Sequence, residues 1–179
     1  MMRDFNRVIR YLAYTLEILV LFMLQETPGL LPSIFGVRPV LLFPAVVSIA
    51  MFEKEIPALA FGIVGGLFCD FGLSGTLGFH ALVLGLLCFF ISLVVRVYMQ
   101  VNLVTALLTG VWSIGLAICA QWFFLYFFNY AQPAYAFTHH YAPKYGYTLL
   151  FVPLLYLLNR GLSQALGAQE EGQFPYSRK

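Results

Sequence analysis

Charge is what this chain has least of. Asp, Glu, Lys and Arg make up 10% of its 179 residues against 61% hydrophobic ones, and the mean hydropathy is +0.83. A soluble fold needs a charged, hydrated exterior that such a composition does not supply, so the chain reads as an integral membrane protein. No polar stretch between the apolar segments is long enough to fold separately, and a single membrane domain is expected. The net charge of +2 leaves no basic patch for nucleic acid.

Other absences narrow the chemistry. Cysteine occurs three times, at Cys69, Cys88 and Cys119, each within an apolar segment. They have neither the setting of a disulfide framework nor metal-ligand spacing, and read as small buried packing residues. Gly62, Gly65 and Gly66 are followed by no Gly-Lys-Ser/Thr, which excludes a phosphate loop and favours helix packing. His139 and His140 are adjacent, so their side chains diverge and do not share a metal. No cofactor and no metal are expected. No small-residue cleavage site follows the first apolar run, and Glu17 sits at its centre, so the run is read as a retained helix rather than a signal peptide.

What is there is six apolar segments: about Val8 to Leu24, Pro39 to Phe52, Ile56 to Phe71, Thr76 to Val95, Asn102 to Asn129 and Tyr147 to Leu166. A hydrocarbon core about 30 Å thick takes about 20 helical residues, and the second and third segments are short for that. They are expected to form a hairpin packed inside the bundle. Pro57 suits a first helical turn, and Pro153 is expected to kink the sixth helix. The fold class expected is an all-α membrane protein with six transmembrane helices over 1–166, followed by a disordered cytoplasmic tail over 167–179.

Basic residues set the expected orientation. With a cytoplasmic N-terminus, Arg3, Arg7, Arg10, Lys54, Arg96, Arg160, Arg178 and Lys179 lie inside, and only Arg38 and Lys144 outside. That asymmetry holds for an even number of spans and places both termini in the cytoplasm. The fifth segment ends in Trp122 to Tyr130, and the next loop carries Tyr135, Tyr141, Tyr145 and Tyr147. This loop is expected to lie on the outer membrane surface, with a partner-docking surface as the sharper alternative.

The candidate site centres on Asp70. Ala58, Gly62, Gly66 and Asp70 are four residues apart and share one helix face, a seam of small residues ending in an acid. Small residues admit a second helix closely, and an acid at membrane depth needs a partner or water. His80 is expected to pair with Asp70 across the Gly72 to Gly78 turn; no serine, cysteine or second acid is spaced to complete a catalytic dyad. Glu17, mid-helix in the first span, is expected to face the bundle as a hydrogen-bonded neutral acid, with a pocket or a partner contact as alternatives.

Together these residues resemble a known family. Gly62-x-x-x-Gly66-Leu67-x-x-Asp70, followed by Leu77-Gly78, is similar to the central signature of the bacterial rod shape-determining protein MreD family. A basic N-terminus, Leu24-Gln25, the Pro28-Gly29-Leu30-Leu31-Pro32 loop and the stretch from Arg38 to Pro44 resemble it too. The resemblance implies a non-enzymatic scaffold of the wall-elongation machinery in the bacterial cytoplasmic membrane. Its partner would be the transmembrane helix of MreC, received by Ala58, Gly62, Gly66, Asp70 and His80. It would link MreB filaments indirectly to a RodA-type glycosyltransferase and a class B penicillin-binding transpeptidase. The fold implied resembles the substrate-binding subunits of energy-coupling-factor transporters. Such a vitamin-binding subunit is the alternative function, and an intramembrane enzyme using Asp70, His80 and Glu17 is a third.

Overall fold

The computed structural model describes residues 2–30, 32, 37–74, 78–127 and 137–166. The expected tail over 167–179, Leu77, and the loop tyrosines Tyr130 and Tyr135 lie outside the described residues. Everything described is helix or connection, with no strand.

Helix α1 (Met2–Glu26) runs 25 residues without a glycine or proline. Arg10, Tyr14, Ile18 and Gln25 recur at helical spacing and are buried, while Val8, Leu12, Leu16, Leu19 and Met23 face outward. It ends where Thr27-Pro28-Gly29 breaks the pattern, with Gly29 at φ +85°. Helix α2 (Leu42–Phe52) has only eleven residues, and every one from Leu42 to Met51 is buried. A helix apolar all round belongs in a core, and α2 touches all six of the other described α-helices.

Helix α3 (Glu55–Cys69) continues through a wider π-helical turn, Asp70–Ser74. Pro57 falls in its first turn, where the missing N–H costs nothing. Helices α4 (Phe79–Tyr98) and α5 (Leu103–Gln121) follow, the latter extended by a π-helical turn, Trp122–Phe127. After a turn over Phe137–Tyr141, the final rod consists of α6 (Ala142–Leu150) and α7 (Val152–Ala165). Pro153 interrupts this rod as expected: the Phe151 N–H reaches the Thr148 carbonyl at 3.1 Å, one residue short of the α-helical partner.

Four stretches are long and apolar enough to cross a membrane: Phe5–Glu26, Glu55–Gly72, Phe79–Tyr98 and Leu103–Phe124. This corrects half of the expected inner hairpin. Only α2 is enclosed; α3 is one of the long rods and turns Ile56, Ile63, Val64 and Leu67 outward. Of the expected surface loop, residues 128–136 lie outside the described ones; its later part is helical, with Tyr141 buried and α6 carrying Tyr145 and Tyr147.

Contacts across the chain define three levels. At one end Arg10, Glu53, Glu55 and Arg96 meet. In the middle Glu17, Ser48 and Asn159 meet. At the other end lie Val40 with Thr148 and Asp70 with His80.

Candidate functional site

The small-residue seam is occupied from within the chain. A Cβ on Gly62 would stand 2.7 Å from the Leu84 carbonyl oxygen and 2.9 Å from Gly85 Cα. One on Gly66 would collide with the backbone of His80 and Ala81. Gly85 returns the fit, its missing Cβ leaving room for Ile63. Backbone therefore lies on backbone along α3 and α4, the close packing that small residues spaced by four permit. Ala58 is fully buried in the same interface side of α3, and Gly65 on the next face packs on Val46 of α2. The face expected to receive a partner's helix is thus filled by α4.

Asp70 closes the seam by capping α4. Helix α4 begins after Gly78, which has φ +97° and no side chain to cap the helix. The Asp70 carboxylate, reaching in from the π-helical turn, accepts the Gly78 N–H at 2.9 Å, the His80 N–H at 2.9 Å and the Ala81 N–H at 3.3 Å. His80 Nδ1 lies 2.7 Å from Oδ1. An acid at a helix start satisfies free N–H groups and complements the helix dipole. The carboxylate is entirely buried, so these bonds compensate its removal from water. The expected Asp70–His80 pair is present, and the other imidazole nitrogen, Nε2, is buried without a hydrogen-bond partner among the described residues. This is the geometry of a helix cap.

Glu17 occupies the middle level, as expected facing the bundle. Asn159 Nδ2 donates to Glu17 Oε1 at 2.9 Å and to Ser48 Oγ at 2.7 Å, joining α1, α7 and α2. Glu17 Oε2, Asn159 Oδ1 and the Tyr14 hydroxyl are buried and make no hydrogen bond among the described residues. Glu26, nine residues along α1, lies against Gly72. At 1.5 Å per residue, Glu17 is therefore about 14 Å below the Asp70 level. The acids proposed for a joint intramembrane chemistry do not share a site.

The remaining charges are pinned where the sequence offered only orientation. Arg10 forms a buried ion pair with Glu53 through Nε and Oε1, with Nη2 3.3 Å from Oε2. Ser92 Oγ donates to the Glu53 carbonyl at 2.6 Å. Arg96 Nη1 reaches both Glu55 oxygens, at 2.7 and 2.9 Å. The charged turn between α2 and α3 is thereby tied to α1 and α4. Isolated polar residues in apolar segments, Ser48 and Asn159, were the one sequence signal for partners of Glu17.

Cys69 and Cys88 are buried, but Cys119 is exposed on α5, correcting its reading as a buried thiol. Among the described residues no group of His, Cys, Asp and Glu is arranged to hold a metal. His139 is exposed and bonded through Nδ1 to the Thr138 hydroxyl at 3.0 Å. In comparisons with known proteins, the chain matches no protein-family model, no curated protein and no solved structure.

Proposed function

We propose that this chain is a non-enzymatic membrane scaffold of the bacterial cell-wall elongation machinery, crossing the cytoplasmic membrane six times with both termini inside. In this reading it binds MreC and connects MreB filaments with the RodA-type and transpeptidase synthases. The observation that carries the proposal is the motif Gly62-x-x-x-Gly66-Leu67-x-x-Asp70 with Gly78, similar to the MreD signature. Each of Gly62, Gly66, Asp70 and Gly78 has a structural task in joining α3 to α4. Such a weld makes a rigid platform. A partner's helix then docks on an outward face, because the seam is already filled.

Co-purification tests this. Membranes extracted in mild detergent are expected to yield the chain together with an MreC-type protein. Inserted, folded chain that retains no such partner overturns the proposal. Gly66→Leu is expected to lower the amount of folded chain itself, a different outcome from selective loss of a partner.

The second reading, a vitamin-binding subunit of an energy-coupling-factor transporter, draws on the buried polar atoms left without partners around Glu17. Stoichiometric retention of a vitamin through purification, with a transporter ATPase pair in place of MreC, decides for it.

A further inference from the structure

The Glu17 level has more oxygen atoms than hydrogens to bond them. Asn159 Nδ2 carries two hydrogens and faces three oxygens: Glu17 Oε1 at 2.9 Å, Ser48 Oγ at 2.7 Å and the Leu155 carbonyl at 3.1 Å. The hydroxyl hydrogen of Ser48 goes to the Ala45 carbonyl at 2.8 Å. Two further oxygens of the cluster, Glu17 Oε2 and Asn159 Oδ1, are buried and receive no hydrogen bond among the described residues. Each belongs to the same carboxyl or amide group as an atom of the 2.9 Å Glu17–Asn159 bond, which keeps both at one place in the bundle. The amide cannot turn over to relieve them, because Oδ1 would then face the Glu17 and Leu155 oxygens.

The charge is unbalanced as well. On α1 the nearest base, Arg10, lies seven residues earlier, about 10 Å along the helix axis, and is paired with Glu53. Helix α2 carries no basic residue, and Arg160, the one base on α7, is exposed. A carboxylate at membrane depth needs a counter-charge. A proton would neutralise it but add an O–H donor for which neither carboxyl oxygen has an acceptor in place. A water molecule would bond the two free oxygens and leave the charge. A small metal cation answers both deficits at once.

We propose that Glu17 and Asn159 bind one monovalent metal cation, of the class of sodium or potassium, through Glu17 Oε2 and Asn159 Oδ1. Asn159 is fully buried, and so is Tyr14, whose unbonded hydroxyl belongs to the same face of α1 one turn before Glu17. Oxygen ligands suit a hard cation, and one carboxylate matches one positive charge. A divalent ion would call for further acids, and among the described residues no group of His, Cys, Asp and Glu gathers to hold one. The bound ion clasps α1 to α7, and through Asn159 and Ser48 to the enclosed α2. The site does not rest on the scaffold reading: a chain that retains no MreC-type partner still shows the ion response.

The test uses the full chain in uncharged detergent at fixed pH and ionic strength. Thermal unfolding is followed as sodium chloride, and separately potassium chloride, replaces choline chloride, whose cation is too large for the site. The midpoint is expected to rise by a few degrees in at least one metal salt, because an ion bound only by the folded chain stabilises it. Glu17→Gln keeps the shape and removes the charge, and is expected to unfold at one temperature in all three salts. Glu17→Asp keeps the charge on a shorter side chain and is expected to respond only at higher ion concentration. Equal wild-type midpoints in the three salts overturn the proposal, as does a metal response that Glu17→Gln retains. If Glu17→Gln does not fold, the wild-type salts and Glu17→Asp still decide. A midpoint raised by acid alone, with no metal response, makes a proton the counter-charge and likewise overturns it.

Discussion

Asp70 stands at the end of an apolar helix and reads from the sequence as a polar docking point. Its oxygens are instead spent on the first N–H groups of the next helix. Removing them in Asp70→Ala forfeits a cap worth up to about 2 kcal/mol and a charge-assisted bond to His80 worth about 1.5–3 kcal/mol. Thermal unfolding in detergent is expected to show a large drop for Asp70→Ala, a smaller one for Asp70→Asn, and the smallest for His80→Ala, which leaves the backbone bonds intact. Equal losses for Asp70→Ala and His80→Ala contradict the cap. The buried pair of Arg10 and Glu53 makes a second test. Glu53→Leu strands a buried guanidinium and is expected to cost about 3–5 kcal/mol, whereas Arg10→Met with Glu53→Leu recovers most of it. A double variant no more stable than the single one contradicts this. Arg10 and Arg96 were legible only as orientation charges, because their acids lie more than forty positions away in sequence. Lys144 was legible only as an outside charge in a tyrosine-rich loop; its burial depends on how α6 docks.

Among elements, the spacing of Ala58, Gly62, Gly66 and Asp70 announced a helix-packing face, and such a face is there. Spacing fixes which side of a helix is bare, not whose helix covers it. That information lies in the partner surface, where Gly85 and Ala81 of α4 are equally small. Gly66→Leu is expected to separate α3 from α4, overpacking a site with no room at a cost of at least about 1–3 kcal/mol. Gly146, where an added Cβ meets nothing and φ is ordinary, serves as the control. Gly146→Ala is expected to unfold within a few degrees of wild type, and Gly66→Leu well below it. The enclosure of α2 was half legible: its shortness was visible, but α3 looked equally short because its π-helical extension through Ser74 has no sequence marker. The break in the last rod was legible from Pro153 alone.

For the whole molecule, the polar levels alternate along the chain as a bundle threaded back and forth requires. Arg10, Glu53, Glu55 and Arg96 gather at one end and Gln25, Asp70 and His80 at the other. Basic residues concentrated at the first end make it the cytoplasmic one in the proposed orientation. Cysteine labelling checks that assignment: Lys54→Cys is expected to react only with a reagent admitted to the cytoplasm, and Thr27→Cys with an impermeant one added outside. The reverse pattern contradicts it. The scaffold role is tested most directly by tagging the chain, extracting membranes in mild detergent, and identifying by mass spectrometry both the proteins and the small molecules retained. The account predicts an MreC-type single-span protein in stable association and no stoichiometric vitamin; a transporter ATPase pair with a bound vitamin, or folded chain with no MreC-type partner, contradicts it.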